Sequence, residues 1–385
     1  VGDVEESARN LRTRKEGTMM GELELELAVS ASKTVNNILK VKSGETLLIT
    51  IDSRGDFRLA LAMARAGECA GAKTMIAYHS TAPAYGKIGE SRLPDCLGGA
   101  IERTDVWIEL NDVWLYCNTS WERAMAPGTK TRYFHLGKMD PASLWRCLGA
   151  IDLDALGKFM NAVVEMTQVA KEMRITNPAG TDVSFRNVGR PVTNECGDAS
   201  SPGVHFMLGQ IGWAPLEESI EGEIVFDGSF HGGGAMDLGI LRHPIKLVVE
   251  RGRIVKIEGE TEAAKVREWF AGLNDERMYR LVHTCYGMNP GAQLTGKCTE
   301  DERVWGCTQW GFGYQADVFH GSLGDAVSHG DGVCLNSSVW LDGRQILANG
   351  RIVDERLIPL ARKLGRAHSS ESIANPERRE DPSTP

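Results

Sequence analysis

The sequence predicts an α/β protein of two units: an N-terminal Rossmann-like domain around a parallel sheet, then an antiparallel α+β domain. Three observations carry this. Apolar, β-branched segments alternate with helix-length stretches between residues 22 and 150. That alternation stops after a long amphipathic segment ending near residue 172. Beyond it, short alternating runs are punctuated by Asn-Pro-Ala-Gly, Asp-Gly and Asn-Gly.

A helical stretch runs to about Lys40 and is followed by TLLITID (46–52), the helix-like DFRLALAMARAGECAGA, and KTMIAYHS (73–80). DVWIELND (105–112) and TRYFHLG (131–137) repeat the theme after further helical segments. Strands of this composition, separated by helices of this length, read as βα units of a parallel sheet. The segment DALGKFMNAVVEMTQVAKE (154–172) is an amphipathic helix. MRITNPAGTDVSFRN then reads as a hairpin, as do IKLVVERGRIVKIEG (245–259) and SVWLDGRQILANGRIV (338–353), where Asp-Gly and Asn-Gly supply positive φ. The expected division is a charged extension (1–20), an α/β domain (21–174), an α+β domain holding the metal chemistry (175–365), and a loose polar tail (366–385) with three Pro.

Composition bounds the function. With 43 Lys+Arg against 52 Asp+Glu, the 385-residue chain has a net charge of -9 and no basic block, so it lacks the footprint that binding a phosphate backbone requires. No stretch approaches the roughly 18 apolar residues of a membrane span, and the first 18 residues are too charged for a signal-peptide core. A cytoplasmic protein with no membrane or nucleic-acid partner is expected. The nine Cys contain no CxxC pair, so reduced thiols are the default. The strand-to-helix turns DSRGDF and HSTAPAYG lack GxGxxG spacing, no GxxxxGK[ST] occurs, and GGG at 232–234 precedes no helix. Nucleotide binding is not indicated. A GxSxG elbow is absent as well.

Metal-ligating residue types concentrate in residues 283–331. Ser328-His329-Gly330-Asp331-Gly332 places an imidazole and a carboxylate at i and i+2, which on an extended segment share one face. Such a pair also occurs in ordinary surface turns. His283 closes an apolar run just before a Gly-Met-Asn-Pro-Gly turn, a strand-end position at the lip of a loop. A lone His there is more often a half-buried, satisfied side chain. Two imidazoles and one carboxylate on one ion would leave positions open for substrate and dioxygen, the arrangement of non-haem Fe2+ sites.

The segments VHTCYGMNPGAQ, SHGDG and SVWLDG, with EGEIVFDGS (221–229) and LVVERGRIV (247–255), resemble the family that contains 2,5-dihydroxypyridine 5,6-dioxygenase and the M29 metallo-aminopeptidases. The similarity is colinear through most of residues 22–355. In the peptidase branch it implies a two-metal site with Glu where this chain has Gln210 and His283, and His where it has Gln309. A neutral amide is a poor ligand for such a centre and cannot bridge two cations. In the dioxygenase branch it implies mononuclear Fe2+ held by His283, His329 and Asp331, all present here.

For proton handling, the resemblance points by spacing to His205 and to Asn118, and an amide at position 118 cannot transfer protons. His205, with Tyr286 and His320, forms the expected catalytic set. Gln210, Gln309, Asn118 and Trp213 are expected at the substrate, the two Gln as neutral donors. Trp305 and Trp310 are further candidate walls, although large aromatics usually mean packing. The expected function is ring-cleaving dioxygenation of a small hydroxylated aromatic or N-heteroaromatic ring, with O2 as partner. The alternatives are an M29-type hydrolase of a small amide or peptide using Zn2+, Co2+ or Mn2+, and a non-catalytic small-molecule binding module. The resemblance also implies a homo-oligomer.

Overall fold

The computed structural model describes residues 23–233 and 236–366. The expected extension 1–20 and the polar tail beyond Arg366 lie outside these residues. A five-stranded parallel sheet has the order Lys73–His79, Thr46–Asp52, Val106–Glu109, Arg132–His135, Gly203–Phe206. Its inner strands are buried on both faces, which is why TLLITID and VWIE read as unbroken apolar runs. Leu47, Ile49, Val106, Ile108 and Phe134 feed the main core, whereas Leu48, Trp107 and Tyr133 feed a smaller cluster on the opposite face. Helix Phe57–Cys69 begins where the Asp56 side chain accepts the Arg58 N–H.

The expected division at residue 174 falls inside the strand Glu172–Thr176, and the last strand of the parallel sheet, Gly203–Phe206, comes from beyond it. An open edge at Arg132–His135 would expose a row of unpaired backbone groups. The later segment covers that edge, so the two units share a sheet rather than meeting only at a linker.

The remaining strands form an eight-stranded and a seven-stranded sheet, antiparallel throughout. The three expected hairpins are present. Asp342-Gly343, Asn349-Gly350 and Arg251-Gly252 each have two successive positive φ values, as tight two-residue turns between right-twisted strands require. In the Asn177–Gly180 turn, the Asn177 Oδ1 accepts from Thr181 N at 2.8 Å.

The seven-stranded sheet positions the chemistry. Its order is Gly239–Ile240, Ser229–His231, His329–Cys334, Cys307–Gly313, Leu281–Gly287, Gln210–Trp213, Thr193–Asn194. Among the described residues, no helix is long and apolar enough to cross a membrane.

Candidate metal centre

His329 and Asp331 lie at alternate positions of one strand and so project together, as their spacing requires. His283 comes from the strand two places away, and it lies within Leu281–Gly287 rather than at its end. The intervening strand presents Gly311, which is in register with both His283 and Asp331. A Cβ at Gly311 would stand 2.2 Å from His283 Cε1 and 2.7 Å from Nε2. The missing side chain is therefore what allows the imidazole to lie across the middle strand and reach the carboxylate.

His283 Nε2 is 3.3 Å from Asp331 Oδ1, and His329 Nε2 is 3.2 Å from Asp331 Oδ2. The two imidazoles are stacked nearly parallel, with centroids 5.3 Å apart and planes at 17°. One ligand atom from each of the three residues lies within 4.8 Å of the others. Phe319 stacks on His283 at 4.9 Å. The Tyr314 carbonyl is 2.8 Å from His329 Nδ1, which holds a ring hydrogen on that nitrogen and points Nε2 at Asp331.

The electrostatics suit a cation. Burial opposes the charge on Asp331, yet the two neighbouring imidazoles hold its carboxyl well below the usual range. Burial likewise opposes the His329 imidazolium, but Asp331 and the Tyr314 carbonyl outweigh it and raise this group above its ordinary value. Two convergent imidazoles and one carboxylate form a donor set that fits a single divalent transition metal with open positions.

Behind Asp331 runs a hydrogen-bonded chain of amides. Gln309 Nε2 donates to Asp331 Oδ1 at 2.5 Å, and Gln309 Oε1 accepts from Gln210 Nε2 at 2.8 Å. Gln210 Nε2 also donates to Glu302 Oε2, and Gln210 Oε1 accepts from Arg303 Nη2 at 2.9 Å. Cys298, Glu302 and Asp331 form a second convergent group. Here Glu302 is already paired with the buried Arg303 guanidinium at 2.6 Å. Arg303 thus places a buried positive charge beside this carboxylate.

Several other expected site residues have local partners in the structure. Asn118 caps helix Thr119–Ala124, its Oδ1 accepting Trp121 N–H at 2.7 Å. His205 lies in the parallel sheet, where its Nε2 meets the Ser201 carbonyl at 2.9 Å and burial pushes its pKa below the ordinary value. Tyr286 is an odd number of residues from His283, faces the other side of the sheet, and packs on Trp213 at 4.7 Å. Trp213 is itself core, its Nε1 donating to Asn187. Trp310 packs edge-on against Phe185 and Trp305 stacks on Phe159. His320 is an exposed residue with φ 49° after the turn Asp317–Phe319. A hollow of about 590 Å³ opens over Met173, Arg174, Phe185 and Trp340 on the eight-stranded sheet, and none of the expected site residues lines it.

Gly311, Phe319, Glu302 and Arg303 were not singled out from sequence. The adjacent Glu302-Arg303 pair within an otherwise buried segment (298–303) was a signal available in principle, since unpaired charges are rarely buried. Gly311 carries no local signal, because its role depends on register.

Comparison with known proteins follows the same lines. The chain is 27% identical over 206 residues to 2,5-dihydroxypyridine 5,6-dioxygenase of Pseudomonas putida, a match covering 50% of this chain and 57% of that relative. Its fold resembles the solved structure of 2,5-dihydroxypyridine dioxygenase from Pseudomonas putida, with TM-score 0.70, 21% identity, and 86% of this chain and 98% of the other covered. It also resembles AmpT from Thermus thermophilus, with TM-score 0.62, 14% identity, and coverage of 86% and 99%. The family model described as 2,5-dihydroxypyridine 5,6-dioxygenase matches residues 28–354, and the chain belongs to that family.

Proposed function

We propose that the protein is a mononuclear Fe(II) dioxygenase that opens a small hydroxylated aromatic or N-heteroaromatic ring, of the dihydroxypyridine type. The observation that carries this reading is the convergence of His283, His329 and Asp331 on one point while Arg303 places a buried positive charge beside Glu302. His283 Nε2, His329 Nε2 and one Asp331 oxygen would hold the iron, which when bound couples an electron-rich ring to O2. The protein's own contribution is geometry. The Tyr314 carbonyl holds the His329 tautomer, Phe319 holds the plane of His283, and Gln309 orients the Asp331 carboxylate by donating to one of its oxygens. Burial of His283 and Asp331 keeps this corner poor in water, which strengthens each of these polar contacts.

The decisive experiment is anaerobic reconstitution with Fe(II), followed by metal analysis, oxygen uptake with 2,5-dihydroxypyridine and catechol, and product mass. One Fe per chain, O2 uptake and addition of two oxygen atoms are expected. Two Zn or Co per chain with amide cleavage would replace this reading with a hydrolase. Neither metal nor turnover would leave a binding module.

A further inference from the structure

Each sheet of this molecule has two edges, and the chain guards them unequally. The eight-stranded sheet ends in Arg351–Ile352, two residues long, and in Arg253–Glu258, which carries Arg253, Lys256 and Glu258. The seven-stranded sheet ends in Gly239–Ile240 and Thr193–Asn194, again two residues each. Short or charged edges of this kind discourage strand addition. The parallel sheet closes on one side with Gly203–Phe206, four residues long. Its other edge is Lys73–His79, a seven-residue strand with no Pro, in which Lys73 at the first position is the single Lys, Arg, Asp or Glu.

The ladder fixes which backbone groups of this strand face outward. Lys73 N donates to the Glu45 carbonyl, and bonded residues alternate along a parallel pair, so Thr74, Ile76 and Tyr78 turn their N–H and C=O away from Thr46–Asp52. Among the described residues, no backbone group meets this outward row. Apolar side chains flank it on both faces. Met75 is 44% exposed on one face, and on the other Tyr78 is 59% exposed and meets Phe57 edge-on at 5.6 Å. Phe57 begins the helix Phe57–Cys69, and Leu61 follows it one turn later on the same flank, the two being 45% and 37% exposed. Gly67, near the far end of that helix, lies against Thr74, so the helix runs back along the strand. These four side chains expose on the order of 400 Å² together, the size at which an apolar patch marks an interaction site. That is about half of the ~800 Å² that each partner of a standard interface buries, before the strand backbone is added.

We infer that Lys73–His79 is an interface with a second copy of this chain, the two strands pairing antiparallel about a two-fold axis at Ile76. In that register Ile76 exchanges both hydrogen bonds with Ile76 of the other copy, Thr74 pairs with Tyr78, and Met75 lies opposite Ala77. Every outward donor then meets an acceptor, and the β-branched and aromatic pairs are of the kind that stabilise sheets. A short peptide could answer the backbone row alone. The apolar flanks on both faces call for a partner that has a sheet edge with a helix beside it, and the two-fold axis supplies one. Residues 1–20 are the rival occupant, because Glu24 lies close to Arg58 at this corner. Their eight charged residues and lack of an apolar alternation make them a poor strand.

Sedimentation of the full chain at micromolar concentration tests the interface, and a dimer or an even-numbered assembly is expected. Met75→Lys combined with Tyr78→Lys sets like charges along the axis and weakens association at least roughly 100-fold, tenfold for each side chain lost. Both positions are exposed, so the far-ultraviolet dichroism is unchanged. Met75→Leu combined with Tyr78→Phe keeps the assembly. Hydrogen exchange on the unaltered chain reads the register and stands even where the lysine variant misfolds. The amides of Thr74, Ile76 and Tyr78 are protected in the assembly and lose protection on dilution, whereas those of Met75 and Ala77, bonded within the chain, keep it. A monomeric unaltered chain, an assembly that the two lysines leave intact, or outward amides that exchange freely within the assembly would overturn the proposal. A monomer that associates only after residues 1–20 are removed would overturn it in favour of that segment.

Discussion

The two polar arrays of this molecule are built in opposite ways. On the antiparallel sheet, His283, His329 and Asp331 point at one another, and Gln309 donates to Asp331 Oδ1 with Gln210 and Arg303 linked behind it. On the parallel sheet, Glu109 and Tyr133 saturate one side of His135, while its Nε2 and the neighbouring Trp114 Nε1 are left without protein partners. The first arrangement concentrates negative and lone-pair density at a point, which is what a cation needs. The second leaves a ring nitrogen of His135 and the Trp114 indole nitrogen buried without protein partners, with both rings packed against the Gly137 backbone. Convergence, rather than a missing partner alone, marks a ligand site.

The comparison can be broken most forcefully at Asp331. Asp331→Ala removes the residue that both imidazoles face, and should cost more than the roughly 10–100-fold in metal affinity that outer partners command; iron analysis after dialysis checks this. Retention of one Fe per chain would disprove the centre. Arg303→Met should be the most destabilising change outside the ligands, by about 3–5 kcal/mol, because it leaves Glu302 buried without its partner. Denaturant unfolding measures the loss, and added Zn2+ should recover part of it by entering the Cys298/Glu302/Asp331 group.

Gly311→Ala puts a methyl group into the His283 ring and should cost about 1–3 kcal/mol as an overpacked position, with weaker iron binding alongside. Stability loss with unchanged iron affinity would mean that His283 reaches the cluster by another route. Asn118→Ala should lower stability by about 1 kcal/mol, the value of a helix cap, and leave oxygen uptake unchanged. A selective loss of turnover would restore the substrate contact expected of Asn118.

A pH-dependent effect concerns Glu195, whose carboxyl is pushed up to about 7, chiefly by burial, despite accepting the Phe206 N–H. Its folded pKa lies above the ordinary 4.5, so the unfolded chain sheds this proton first. The stabilising contribution is complete below about pH 4.5 and is lost as pH rises toward 7. Glu195→Gln lacks this loss. Its melting temperature relative to the unaltered chain should rise by roughly 2–4 °C between pH 5 and pH 8, and a constant difference would show that Glu195 is ionised throughout.

Much of the fold was legible because it rests on local rules. Apolar runs such as TLLITID, alternation in the hairpins, and Asp-Gly or Asn-Gly turns act within a few residues. The pairing of His329 with Asp331 was legible for the same reason, since the two-residue period of a strand is local. His283 was singled out from its position before a loop and tied to that pair by family resemblance, while its place within the strand was not visible from the loop that follows it. The expectations for His205, Asn118, Tyr286 and His320 rested on spacing along the chain or proximity in sequence. In the structure each of these residues has a local partner or place: a carbonyl contact, a helix cap, a core ring, a turn.

Residue order alone determined the alternation of strands and helices, the hairpin turns, and the face shared by positions 329 and 331, because each follows from interactions within one element. Only the tertiary structure decided that Gly311 would lie between His283 and Asp331, that Arg303 would neutralise Glu302 behind them, and that Gly203–Phe206 would close the parallel sheet beside His135. Those outcomes depend on register between strands distant in the chain, and a shift of one residue would turn the same side chains to the opposite face.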